Sequence, residues 1–141
     1  MVRLREDRNV TDEKLDTMEL LHPSDKRFLY SGEGMKSLLV DDTGVIVVYL
    51  CMFQIDQGNY GCFLIPSVLL CQYKVQVSRM VRRIFELELS KLKDAIVQTV
   101  SKNVTIINRW MEFLKFSKGK RLKVSGFTDE YFVWRRSSYG H

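Results

Sequence analysis

No two cysteines in this chain have the CxxC spacing, and no histidine stands at a metal-ligand interval from one. The three cysteines, Cys51, Cys62 and Cys71, are an odd number, which argues against a disulfide framework and for buried, reduced thiols in a cytosolic or nuclear protein. The two histidines, His22 before a proline and His141 at the end, have no serine, cysteine or acid arranged with them as a triad. A phosphate loop is missing too: Gly32-Glu33-Gly34 lacks the following Lys-Ser/Thr and the longer glycine spacing. Asp41 and Asp42 are adjacent at a turn, so their carboxylates point apart, and no third ligand is spaced to complete a cation site. Catalytic residues, metal ligands and cofactors are therefore all expected to be none. The richest apolar stretch, Val45 to Phe53, is far shorter than the roughly 20 residues of a membrane helix. Charge begins at Arg3, which leaves no room for the apolar core of an export signal. No membrane partner is expected, and no internal repeat is visible.

What is present is a chain of 141 residues, enough for one domain with a real core. Its 45% hydrophobic and 28% charged residues place it in the globular range. A net charge of +5 is compatible with a nucleic-acid partner without requiring one.

Along the chain, residues 1–25 read as a polar arm or first-strand region with a short helix, broken at His22-Pro23. Residues 26–141 read as the folded domain. Phe28-Leu29-Tyr30 runs into a glycine turn, leaving the first strand either within Met1 to Val10 or at Lys26 to Tyr30. Met35 to Val40, Asp41-Asp42-Thr43-Gly44 and Val45 to Phe53 form the strongest local signal, a hairpin. The continuous apolar run from Val45 to Leu50 makes its second strand central. Gln54 to Gly61 reads as a loop, and Pro66 bends or edges the apolar stretch Cys62 to Leu70. Val81, Phe85, Leu89, Leu92, Ile96 and Val100 fall at steps of three or four and predict one amphipathic helix from Ser78, a possible N-cap, to Val100. Val104 to Phe116 fits either a short helix or an extended connection. The end reads as a turn at Ser117 to Lys120, a strand from Arg121 to Ser125, a bend at Gly126 and a last strand from Tyr131 to Arg136.

That order matches the oligonucleotide/oligosaccharide-binding (OB) plan, a five-stranded barrel with a long helix between the third and fourth strands. Val40-Asp41-Asp42-Thr43-Gly44-Val45-Ile46 resembles the V-D-D-G-T-G-V-I signature of the middle subunit of replication protein A and of the telomeric Stn subunit of the CST complex. Gly119 to Gly126 is similar to the G-x-x-L/V-x-V-x-G segment that follows the helix in those families. The resemblance implies a non-catalytic nuclear subunit of a complex handling single-stranded DNA, at telomeres or in replication. Its partners would be single-stranded DNA and other OB-fold subunits.

On such a barrel, exposed aromatic rings stack bases and cations neutralise phosphates. The candidate nucleic-acid-binding residues are Tyr49 and Phe53 on the third strand, Lys120, Arg121 and Lys123 near the fourth, and Tyr131, Trp134, Arg135 and Arg136 on the fifth, with Lys118 nearby. Against this stands the plainer reading of Tyr49, Phe53 and Tyr131 as core or interface aromatics; Trp134 beside two arginines can equally stack and clamp. The competing functions are an OB module serving only as a protein scaffold, and a small enzyme or viral factor of mixed fold.

Overall fold

The computed structural model describes residues 3–30, 33–102, 105–123 and 130–137. Seven strands form one sheet in the order β1-β2-β3-β4-β5-β7-β6: β1 Arg5–Asp7, β2 Met35–Val40, β3 Ile46–Asp56, β4 Asn59–Pro66, β5 Ile96–Lys102, β6 Ser117–Lys123 and β7 Glu130–Ser137. The helices are α1 Asp12–Asp16, α2 Lys74–Ser90 and α3 Thr105–Phe113. By internal contacts the chain divides into two compact units, residues 1–53 with 63–79, and residues 54–62 with 80–141.

The first unit is built on the β2–β3 hairpin. Its turn is made by Asp41, whose Oδ1 accepts from the Thr43 amide at 2.9 Å, the Thr43 hydroxyl at 2.7 Å and the Val45 amide at 2.9 Å. The Thr43 hydroxyl first, and then the turn amides, hold this carboxyl below the usual carboxylate range against the effect of burial. The Val40 to Ile46 motif is thus turn chemistry. From Ile46 to Met52 every residue of β3 is buried, as its continuous apolar run requires of a strand covered on both faces. β1 pairs antiparallel with β2, Arg5 opposite Val40, and Glu6 Oε2 accepts from the fully buried Ser37 hydroxyl at 2.5 Å. Thr11 caps α1 by accepting from the Lys14 amide at 3.2 Å. Leu15 of α1 then joins Leu29, Leu38, Val40, Ile46, Tyr49, Cys51 and Ile65 in one core.

In the second unit β4 and β5 run parallel, pairing Asn59 with Ile96, Tyr60 with Val97 and Gly61 with Gln98. A parallel pair needs a crossover, and α2 supplies it. β5 continues antiparallel against β7 from Ile96↔Ser137 to Lys102↔Tyr131, and β6 pairs antiparallel with β7 outside it. Every residue of β6 is exposed; its lysines and the irregularity between Lys118 and Arg121 discourage strand addition at this edge.

α3 ends in a Schellman turn, with the Phe116 amide donating to the Met111 carbonyl at 3.1 Å and the Lys115 amide to Glu112 at 2.9 Å. The residue in the left-handed position is Lys115, at φ 67°, where glycine is the unstrained choice. Lys115→Gly is expected to stabilise the chain by up to about 1 kcal/mol, the relieved strain exceeding the entropy glycine adds to the unfolded chain. The exposed 3.7 Å pair with Glu86 that it removes is worth little. A urea titration showing lower stability in the variant would refute this.

The closed five-stranded barrel is overturned. The sheet is mixed and open, with β1 and β6 at its ends, whereas a barrel pairs its edges away. Three local readings change with it. The helix begins at Lys74, so Ser78 lies inside it and donates its hydroxyl to the Lys74 carbonyl at 2.7 Å. It stops at Ser90, and the segment expected to prolong it, Ile96–Lys102, is strand β5. The four-residue steps among Leu92, Ile96 and Val100 fit a period of 3.6 and a period of 2 alike, and Asp94 at φ 52° breaks the run between them. Gln54 to Gly61 is largely strand, turning at Gly58 with φ 79°. Gly126, expected at a barrel corner, lies outside the described residues.

Candidate functional site: the end of β4 and the start of α2

In an open sheet, ligands collect at the carboxyl ends of parallel strands and at the helix starts that follow them. Here that place is the stretch from Phe63 to Arg79 in the first unit. Backbone groups along a strand point alternately to its two edges. The Gly58 carbonyl accepts from the Ile96 amide of β5 at 2.8 Å, and the Ser67 amide donates to Val47 of β3 at 2.9 Å. Even-numbered residues of β4 therefore turn their amides and carbonyls away from β3. On that edge the Leu21 amide donates to Pro66 at 3.1 Å and the Val68 amide to Glu19 at 2.9 Å, around an isolated antiparallel bridge between Leu20 and Ser67. The described β4–β5 pairs end at Gly61. Leu64, between these two pairings, directs its N–H and C=O to the same edge.

After β4 the chain winds into a 3-10 turn, Val68–Gln72, capped at its start by Ser67. The Leu69 amide donates to Ser67 Oγ at 3.2 Å, the Leu70 amide to the Ser67 carbonyl at 3.1 Å and the Tyr73 amide to Leu70 at 3.0 Å. The first α-helical bond of α2 is Val77 to Tyr73 at 2.9 Å. The amides of Lys74 and Val75 are consequently first-turn donors that a helix leaves without an internal acceptor. No acid lies in that turn, and Lys74 is exposed at its start. Gln76 Oε1 accepts from the Leu4 amide at 3.2 Å, tying the turn to the flank of β1. Between Asp56 and Glu86 the chain carries no carboxylate, and its cations there, Lys74, Arg79, Arg82 and Arg83, all lie on α2. The helix dipole and Lys74 make this end of the helix favourable for an anion.

The residues expected to bind nucleic acid are distributed otherwise. Tyr49 is fully buried in β3 beside Cys51, and burial pushes the phenol and the thiol well up. Phe53 is half-buried and packs at a tilt on Phe63, 5.6 Å between centroids. Trp134 is fully buried, its indole N–H donating to Ser101 Oγ at 2.8 Å; a covered ring offers no face to a base. Arg136 is buried as well, with Nη1 donating to the Leu114 carbonyl at the end of α3 at 2.8 Å. Desolvation lowers the pKa of its guanidinium. Tyr131 is half-buried, while Lys120, Arg121, Lys123 and Arg135 are exposed on β6 and β7. Two of the cations, Lys118 and Arg121, gather over the Phe132 ring at 3.9 and 6.0 Å, and Arg121 pairs with Glu130 at 3.5 Å.

Sequence reasoning passed over Leu64, Ser67 and Lys74 because Pro66 read as a bend and the helix was begun at Ser78. The carboxylate-free run from Gln57 to Phe85 was the signal that could have marked the segment. Among the described residues no cluster of three or more His, Cys, Asp or Glu side chains could hold a metal ion.

An open mixed sheet with a β4–α2–β5 crossover defines a mixed α/β scaffold. Solved structures place the fold more narrowly, as that of the GCN5-related N-acetyltransferases. The chain is similar to the ribosomal-protein-S18-alanine N-acetyltransferase of Escherichia coli, with TM-score 0.72 and 12% identity over 98% of this chain and 96% of that one. It is similar to a phosphinothricin acetyltransferase of Sinorhizobium meliloti solved with acetyl-CoA, with TM-score 0.70 and 10% identity over 96% and 88%. A GCN5-related N-acetyltransferase of Kribbella flavida aligns with TM-score 0.66 and 11% identity over 95% and 97%. No family model and no curated protein sequence matches the chain. The fold overturns the resemblance to replication protein A and Stn, and with it the expectations of a non-catalytic telomere or replication subunit and of single-stranded DNA and OB-fold subunits as partners.

Proposed function

We propose that the chain is an acyltransferase that binds an acyl thioester of the acetyl-CoA type and passes the acyl group to an amine. The observation that carries this reading is the continuity between the Leu64 edge of β4 and the helix start at Lys74, an extended backbone edge leading to an anion-binding helix end. The residues fit such a ligand in chemistry. Leu64 has an amide and a carbonyl to pair with the amides of a pantetheine arm, as an added strand would. The amides of Lys74 and Val75, with the Lys74 ammonium, suit a phosphate. Bound there, acetyl-CoA supplies an activated acyl carbon. The two structures solved with acetyl-CoA, from Salmonella typhimurium and Sinorhizobium meliloti, share the fold.

The role of this segment is binding and orientation. From Gln57 to Phe85 there is no carboxylate or histidine, so no side chain of this segment is an ordinary general base.

Titration calorimetry and thermal denaturation with acetyl-CoA test the reading. At a hundredfold excess over Kd the ligand is expected to add about 2.7 kcal/mol to the unfolding free energy. Lys74→Glu, which replaces an attractive charge by a repulsive one at the helix start, is expected to weaken binding roughly tenfold or more. No stabilisation and no heat at millimolar acetyl-CoA would refute the reading.

A further inference from the structure

Three phenylalanine rings of the first unit form one strip. Phe53 of β3 meets Phe63 of β4 with centroids 5.6 Å apart, and Phe63 meets Phe28 at 5.9 Å, both pairs tilted. Phe28 ends a 3-10 turn, Pro23–Phe28. The next residue, Leu29, is buried in the same core cluster as Leu15 of α1. That anchor fixes the turn and leaves Phe28 outside, 40% exposed even with Arg27 over its ring at 4.7 Å. Phe53 and Phe63 pack on the core and are themselves only half-buried. Single apolar side chains on a surface are ordinary, whereas rings that touch one another and run from the core to solvent mark a place where something binds.

The position of the strip indicates its use. Phe63 directly precedes Leu64, whose N–H and C=O are proposed above to hold the acyl donor. Backbone groups of a strand lie in the plane of the sheet, and side chains leave it to the two faces. A donor paired with Leu64 therefore lies beside the strand in that plane. The rings rise from one face a single residue away, about 3.3 Å along the strand. An acceptor resting on them reaches the donor from that face without displacing it. The rings also select the acceptor, since phenylalanine favours an apolar, planar group. Charge in the turn is mixed, Asp25 with Lys26 and Arg27, which gives neither a polycation nor a polyanion an advantage.

We propose that the Phe53–Phe63–Phe28 strip is the acceptor site and takes a primary amine that carries an aromatic ring. This rests on the acyltransfer reading above. In the transfer the amine nitrogen attacks the acyl carbon, so that a C–N bond forms and the acyl C–S bond breaks. The proton lost by the nitrogen passes to the leaving thiolate, and the products are an N-acyl amine and a free thiol.

The test compares 2-phenylethylamine with ethylamine as acceptors for the full chain and acetyl-CoA, followed by release of the thiol, with titration calorimetry of acetyl-CoA alongside. The aromatic amine is expected to have a kcat/KM about tenfold or more higher, the difference lying in KM. Phe28→Ala is expected to raise that KM about tenfold while leaving acetyl-CoA affinity and the circular-dichroism spectrum unchanged. Phe28→Tyr, which keeps the ring, is expected to retain the preference. If acetyl-CoA binds but the two amines have equal kcat/KM, neither is acylated, or the preference survives Phe28→Ala, this inference is overturned and the binding of the acyl donor stands. Failure of acetyl-CoA to bind would overturn both.

Discussion

Trp134→Ala is expected to lower the unfolding free energy by about 3–5 kcal/mol, the range for removing a large aromatic side chain from a packed core. The indole is fully buried on β7, faces Phe132 at 6.4 Å in an edge-on arrangement and donates to Ser101 Oγ at 2.8 Å. Truncation leaves a cavity and an unpartnered hydroxyl on β5. Trp134→Phe retains most of the apolar volume and loses that hydrogen bond, so a smaller loss of about 1–2 kcal/mol is expected. Urea denaturation of both variants makes the comparison. If alanine cost less than about 1 kcal/mol, as surface substitutions do, Trp134 would be the exposed ring that the sequence suggested.

Gly34→Ala is expected to destabilise by about 3 kcal/mol or more, from strain and overpacking together. Gly34 precedes β2 with φ 138°, a conformation open to glycine and almost no other residue. A Cβ there would lie 2.3 Å from the Met52 carbonyl oxygen and 3.0 Å from the Phe53 Cα. Both obstacles are backbone of β3, so no side chain can move to make room. The pairing of Met35 with Met52 would have to loosen, and hydrogen exchange should show lost protection at this end of the hairpin. Gly44→Ala makes the control: φ is 86° but nothing lies within 4 Å of the added carbon, so only conformational strain of about 1–2 kcal/mol is expected. Equal losses at both positions would show that contact with β3 is not the cause.

Much of the local structure was legible because it depends on neighbours in the chain. The hairpin of β2 and β3 could be read from the Asp41 to Gly44 turn between two apolar runs, and the buried stripe of α2 from the steps between Val81, Phe85 and Leu89. The same hairpin and helix occur in many folds, which is why the Val40 to Ile46 turn invited a barrel. The candidate site was hidden for a related reason. Pro66 ends β4 by bonding its carbonyl to Leu21, a partner 45 positions earlier in the chain, and nothing near Pro66 in sequence signals it. Trp134 and Arg136 were misplaced because alternation along β7 shows only that two faces exist. Which face is covered depends on Ser101 of β5 and Leu114 after α3.

The sequence by itself determined the β2–β3 hairpin and its turn, the presence of an amphipathic helix after β4, and a run of 29 residues, 57–85, whose only charges are positive. Those follow from side-chain period, turn chemistry and charge, which act over a few residues. Only the tertiary structure decided that β4 and β5 run parallel, that the sheet stays open, and that Leu64 turns its backbone groups away from β3. Strand direction and edge pairing are set by backbone hydrogen bonds between distant segments, and a backbone amide carries no mark in the sequence of the partner it will find.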